Sequence, residues 1–273
     1  MQWSLVGSEM CIRDRTYSEL ACKKNFGSSV NSFACKTIPE IFETISDENS
    51  YGIVPLENST EGAVNATLDA LQNTELNICG ELEMPIRHSL LAPQSALENI
   101  KTVYGHQQSL AQCKNKLSNF LPKAKVVPVE SSGLALKKAS SKRSNACIAH
   151  ETFANANDLK VVKKNIEDQK NNTTRFIILG KSSPLKSGID KTSIIISLEN
   201  RPGALSKILK IFEFSKINLN YIQSRPSKID KWSYSFFLDF EGHADTLKIK
   251  NLLSKLEKSS NSLKLLGSYP KAL

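Results

Sequence analysis

No apolar run in these 273 residues approaches the roughly 20 needed to cross a bilayer as a helix, so no span of that kind is read. The opening residues lack a basic start followed by an apolar stretch, and they end in Cys11-Ile12-Arg13-Asp14-Arg15, which is not the pattern of a secretory signal. The six cysteines, at 11, 22, 35, 79, 113 and 147, never form Cys-x-x-Cys. That scatter argues against a disulfide scaffold or a zinc site and for reduced thiols in a cytoplasmic protein. No dense basic stripe with interleaved aromatics appears, so nucleic acid is not an expected partner, and neither is a membrane. The net charge of +9 comes mostly from lysines spread along the chain, 29 of the 36 basic residues. The seven arginines are more telling. Four of them, Arg87, Arg175, Arg201 and Arg225, fall in segments singled out below, where a planar fork suits carboxylates.

What is present is a globular composition, 40% apolar and 23% charged, in a chain long enough for one large domain or two of ordinary size. Short apolar strands alternate with helical patterns through the first 180 residues. Thr37-Ile38-Pro39-Glu40 is a capping box opening a helix to about Ser46. Tyr51 to Pro55 reads as a strand, and Val64, Leu68 and Leu71 mark a helix face. Ile86 to Ala92 and Val103-Tyr104 read as strands; Leu110, Cys113, Leu117 and Leu121 have amphipathic helical spacing. A strand at Lys125–Val129, a helix at Ser132–Ala139 and strands at Ala146–Ala149 and Phe176–Leu179 complete an α/β domain with mostly parallel sheets.

Lys181 to Gly188 is rich in Ser, Pro and Gly and reads as a linker. Beyond it come a strand at Thr192–Leu198, a helix with Leu205, Ile208, Leu209 and Phe212 inward, and strands at Leu219–Ile222 and Tyr234–Phe240. A helix carrying Ile249, Leu252, Leu253 and Leu256 and a strand at Leu263–Leu266 follow. The order βαββαβ is ferredoxin-like.

Two polar segments stand at strand ends, where open α/β sheets bind ligands: Pro55-Leu56-Glu57-Asn58-Ser59-Thr60-Glu61-Gly62 and Asn171-Asn172-Thr173-Thr174-Arg175-Phe176. Each alone is an ordinary turn. Together, with a carboxylate in one and an arginine in the other, they suggest a cleft for an anionic molecule.

With His106-Gln107-Gln108-Ser109-Leu110-Ala111-Gln112-Cys113 and Glu130-Ser131-Ser132, these segments make the chain resemble the prephenate dehydratases from about Thr16 to its end. The resemblance implies a two-lobed catalytic domain like the type II periplasmic binding proteins, with the active site between the lobes, and decarboxylative dehydration of prephenate to phenylpyruvate without a cofactor. Thr174 matches the family's essential threonine, Arg175 would pair with a substrate carboxylate, and Glu57, ahead of Glu130, would supply a proton. Asn58, Ser59, Gln112, Glu130, Ser131 and Phe176 are the expected substrate contacts, while His88 and His106 read more readily as structural. The second domain resembles an ACT domain, with Asn200, Gly203, Ala204, Leu205, Ser224 and Arg225 as the expected phenylalanine contacts. Gln223 stands where the family has glutamate, which bears on the strength of inhibition.

The expected division is a catalytic domain at 1–180, a linker at 181–191 and the ACT domain at 192–273. The two lobes would take 16–80 with 168–180, and 81–167. A Gly-rich turn expected before Thr16 is missing, so Met1 to Arg15 reads as a foreign start that leaves one lobe without its first strand. An upstream chorismate mutase region would not be visible. A homodimer or dimer of dimers is expected. Arogenate dehydration and non-catalytic amino-acid sensing are the alternative functions.

Overall fold

The computed structural model describes residues 9–13, 16–27, 30–94, 96–226 and 234–272. The chain runs β1 (Glu9–Arg13), α1 (Tyr17–Phe26), β2 (Asn31–Cys35), α2 (Ile38–Thr44), β3 (Ser50–Asn58), β4 (Gly62–Ala63), α3 (Asn65–Asn73) and β5 (Asn77–Pro85). It continues with β6 (Ser89–Ala92), β7 (Thr102–His106), α4 (Gln107–Gln112), α5 (Lys114–Phe120), β8 (Lys125–Val129), α6 (Ser132–Ser140), β9 (Asn145–Ala149) and β10 (Lys160–Lys163). Then come β11 (Thr173–Gly180), β12 (Asp190–Leu198), α7 (Ala204–Ser215), β13 (Leu219–Pro226), β14 (Tyr234–Glu241), α8 (Leu247–Glu257) and β15 (Ser262–Pro270). Among the described residues no helix is long and apolar enough to cross a membrane.

Two compact units result. One is built from residues before 13, from 21–83 and from 175 onward, the other from 13–20 and 84–174. The first contains a sheet in the order β2-β1-β3-β11-β5 and the C-terminal sheet β13-β14-β12-β15; the second contains the sheet β10-β6-β9-β7-β8.

The missing first strand is present after all. Glu9 to Cys11 pairs parallel with Ser50 to Gly52, and Met10, Cys11 and Ile12 are buried. An apolar Met-Cys-Ile triplet is enough to fill that place in the sheet, whatever precedes it. Residues 14 and 15, where the Gly-rich turn was expected, lie outside the described residues.

The capping box forms as read: Thr37 Oγ1 accepts from Glu40 N, and the Glu40 carboxylate accepts from Thr37 N. The helix expected through Leu110 to Leu121 breaks at Cys113, whose backbone leaves helical geometry. Asp168 stabilises the break, its carboxylate accepting the N–H groups of Asn115 and Lys116 at 3.0 Å each. These are donors that a new helix start leaves without intrahelical partners. The strand expected from Ile86 to Ala92 is likewise shortened to β6, with Ile86 to His88 forming an irregular link from β5.

The C-terminal sheet is antiparallel throughout, and its period-two pattern feeds two cores. Ile194, Ile196, Leu198, Leu238 and Phe240 pack with Ile208, Phe212, Ile249, Leu252 and Leu256 from α7 and α8. Each such buried side chain contributes roughly 1.5–3 kcal/mol. Leu209 was expected among them but is 40% exposed, one step off the buried stripe. The alternate residues Ile195, Phe237 and Tyr269 join the core of the first sheet, with Val54, Leu56, Leu68, Leu71, Ile177 and Leu179. One face of the C-terminal sheet is therefore covered by its own helices and the other by the lobe it follows.

Candidate active site and effector site

Strand alternation decides the arrangement around Thr174 and Arg175. β11 begins at Thr173, before the apolar run that announces it, so the two residues are consecutive strand positions facing opposite sides of the sheet. Arg175 turns to the side of Ile177 and Leu179, toward the C-terminal sheet. There its Nη2 lies 2.7 Å from Glu81 Oε2, its Nη1 2.5 Å from Asp239 Oδ2, and Nη2 donates to the Tyr269 hydroxyl at 3.1 Å. Lys191 completes the charge balance, 2.8 Å from Glu81 Oε1. Ser193 Oγ donates to Asp239 Oδ1 at 2.5 Å and stands 2.6 Å from the Tyr269 hydroxyl; Ala272 N donates to Glu81 at 3.0 Å.

Two acids and two bases thus neutralise one another away from water. Burial pushes the Glu81 carboxyl up, and Arg175 and Lys191 more than reverse the shift, so it ends below its ordinary value. At Asp239, deeper still, burial raises the carboxyl from its ordinary value, against the pull of Arg175 and Ser193. The expectation that Arg175 pairs with a substrate carboxylate is therefore corrected: its fork is filled from within the chain. Phe176 is corrected too, since at 1% exposure it belongs to the core.

The Glu57 segment is a hairpin rather than a loose turn. β3 runs through Glu57 and Asn58, and β4 folds back so that Glu57 pairs with Ala63 and Asn58 with Gly62. Asn58 Oδ1 accepts from Thr60 N at 3.0 Å, Thr60 Oγ1 at 2.6 Å and Glu61 N at 3.1 Å. Gly62, at φ +81°, takes the left-handed position that closes it. The oxygen of Asn58 therefore builds the turn, and Ser59 lies exposed at its tip. Glu57 is half-buried, and that burial raises its carboxyl pKa, with Asp239 and Glu83 adding to the shift and Arg175 and Lys191 opposing it. β11 lies beside β3 in the sheet, and a Cβ on its last residue, Gly180, would stand 2.8 Å from the ring of Tyr51, near the start of β3.

In the second unit, Gln112 is half-buried at the end of α4, and its Oε1 accepts from Asn172 Nδ2 at 2.9 Å. His88 Nε2 stands 2.9 Å from the same oxygen. Asn172, only 2% exposed, lies two residues before Thr174 and enters this cluster although the reading of the sequence did not name it as a contact. An amide preceding a Thr-Thr pair was the signal available. Ser131 is the N-cap of α6, its Oγ accepting from Leu134 N at 3.2 Å. Glu130 beside it is exposed.

The expected effector residues fall at one end of the C-terminal sheet. Ser197 and Arg225 both pair with Ser235, so the end of β13 and the β12–α7 loop sit one strand apart. Gly203 caps α7 at φ +82° with open space where a Cβ would be. Asn200 is exposed, Ala204 and Leu205 half-buried, Ser224 exposed. Arg225 is held from the catalytic lobe: its Nη2 lies 2.7 Å from Asp69 Oδ1, and Nη1 donates to Asn65 Oδ1 at 2.9 Å. Lys264, on β15, donates to the carbonyls of Leu71, Gln72 and Thr74 at the other end of the same helix, α3. An effector contact was expected of Arg225; its guanidinium instead grips α3.

The family model described as prephenate dehydratase matches residues 13–184, and that of the ACT domain matches 192–258. A bifunctional chorismate mutase/prephenate dehydratase of Pseudomonas aeruginosa is 43% identical over 260 residues, 94% of this chain and 71% of that protein. A prephenate dehydratase of Methanocaldococcus jannaschii is 38% identical over 93% of this chain and 94% of its own length. The crystal structure of an Arthrobacter aurescens prephenate dehydratase in complex with L-Phe superposes with a TM-score of 0.89 at 31% identity, covering 96% of this chain and 90% of that one. The chain belongs to the prephenate dehydratase family and carries an ACT domain behind the catalytic domain.

Proposed function

We propose that this chain converts prephenate to phenylpyruvate, with Thr174 hydrogen-bonding the departing C4 oxygen and Glu57 delivering the proton. The electrons of the bond to the ring carboxylate flow into the ring as CO2 leaves. The C4–O bond breaks, and the hydroxide that would depart takes up a proton to leave as water. Aromatisation drives the step, so the barrier lies in expelling that oxygen. A threonine hydroxyl is too weak an acid to give up its proton. It stabilises the oxygen while a carboxylic acid with a raised pKa protonates it.

The single observation that carries the reading is the half-buried carboxyl of Glu57 at the end of β3, in one of the polar segments that carry the family resemblance. Burial raises the pKa of that carboxyl, the direction a proton donor requires. With Arg175 engaged elsewhere, the substrate's carboxylates fall to neutral donors, chiefly Gln112 and Asn172. Phenylalanine acts as effector at the end of the C-terminal sheet, near Gly203 and Ser224, across the ACT domains of two subunits in a homodimer or dimer of dimers. Ultraviolet detection of phenylpyruvate from prephenate, with arogenate run in parallel, tests the assignment. Turnover of prephenate supports it, and turnover of arogenate alone moves the substrate to the amino-acid analogue.

A further inference from the structure

One buried histidine of the second unit, His88, has no part in the steps above. His88 lies in the link between β5 and β6 and is 2% exposed. Its Nε2 is 2.9 Å from Gln112 Oε1, the oxygen that also accepts from Asn172 Nδ2. An amide nitrogen only donates, so the Gln112 atom facing Asn172 is its oxygen, and Nε2 must carry a proton to bond it. That holds whether the imidazole is neutral or charged.

The ring has little freedom to leave this geometry. Nδ1 is 3.1 Å from the Tyr17 hydroxyl, whose one proton goes to the Arg87 carbonyl, and the two rings meet edge-on at 5.8 Å. His88 N donates to Glu167 Oε2 at 2.9 Å, and its carbonyl accepts from Ile166 N at 2.8 Å. The other partner is fixed as well, because the Gln112 carbonyl accepts from Asp168 N at 2.7 Å.

We propose that His88 is a positioning residue for the dehydratase reaction: its Nε2–H sets the flip of the Gln112 carboxamide, so that the NH2 end is presented to a prephenate carboxylate. Were the amide to turn over, it would offer an oxygen to an anion, a repulsive contact in place of a donor. The inference rests on the reading of Gln112 as a substrate contact. His88 neither gives nor takes a proton in the reaction.

The test is steady-state kinetics on prephenate across pH, using the full chain and its His88→Gln, His88→Asn and Gln112→Ala variants. The glutamine places its Nε2 near the imidazole Nε2 and keeps the donor; the shorter asparagine does not. His88→Asn is expected to raise KM roughly fivefold, the worth of one hydrogen bond, with kcat and the pH limbs little changed. His88→Gln should restore most of that loss. In a Gln112→Ala background, His88→Asn should add nothing further, because the group it orients is gone. Equal damage from Gln and Asn would overturn the proposal, as would loss of a pH limb in both. If Gln112→Ala raises KM while His88→Asn does not, the positioning role fails alone. If Gln112→Ala leaves KM unchanged, the reading of Gln112 as a substrate contact is what fails.

Discussion

Arg175, one residue after Thr174, forms a 2.5 Å ion pair with Asp239 on β14 of the ACT domain, and neither side chain is more than 9% exposed. The arginine of the catalytic motif is therefore part of the junction between the catalytic sheet and the ACT sheet. Breaking that pair from the regulatory side leaves a buried positive charge without its counterpart. Asp239→Ala is expected to cost about 3–5 kcal/mol in chemical denaturation, as for other buried pairs that lose one partner. A loss below about 1 kcal/mol would mean that the network is not holding the two sheets together.

Glu81 gives the same junction a pH dependence of known sign. Its folded-state pKa lies below the ordinary 4.5, because the pull of Arg175 and Lys191 exceeds the push of burial. Its contribution is complete above the unfolded value and is lost as pH falls through the lower folded value. Wild type minus Glu81→Gln should therefore show a stability difference that is constant at neutral pH and shrinks on acidification below about 4.5. Acid unfolding curves of the two proteins measure it. A difference that grows toward low pH would reverse the sign assigned here.

Much of this was legible in the residues. The capping box at Thr37, the stripes of α3 and α8 and the βαββαβ order followed from periodicity alone. β5 was not read, because Gly80, Glu81 and Glu83 break its apolar pattern. Glu81 is buried only because Arg175 and Lys191, distant in sequence, neutralise it. The Thr174–Arg175 pair was read as one crevice because the strand seemed to start at Phe176. Starting it at Thr173 sends the two side chains apart. Likewise nothing in Gln223-Ser224-Arg225-Pro226 says that the arginine's partner is Asp69, which only folding brings near.

That contact suggests a route for regulation. α3 follows the Glu57 hairpin and is gripped by Arg225 at one end and Lys264 at the other. Asp69→Ala lies outside the ACT domain, yet it is expected to weaken phenylalanine inhibition roughly fivefold while kcat without phenylalanine stays within about twofold. An inhibition curve superposable on wild type would exclude α3 as the link. Ser224→Trp, at the effector end of the sheet, should abolish the response.

Glu57→Gln isolates the proton donor. Turnover should fall by about 10²–10⁴, and the wild-type decline toward alkaline pH, set by the raised carboxyl, should vanish in the residual activity. Wild-type turnover by the glutamine variant from pH 5 to 9 would remove Glu57 from the mechanism and leave its raised pKa a consequence of burial alone.

The most direct measurement is phenylpyruvate formation from prephenate by wild type, Thr174→Ala and Thr174→Ser, with folding checked by circular dichroism. A hydroxyl that stabilises the departing oxygen predicts a loss of about 10²–10³ in kcat for alanine and substantial recovery for serine. Equal turnover by all three folded proteins would contradict the assignment of Thr174 and, with it, the catalytic reading of β11.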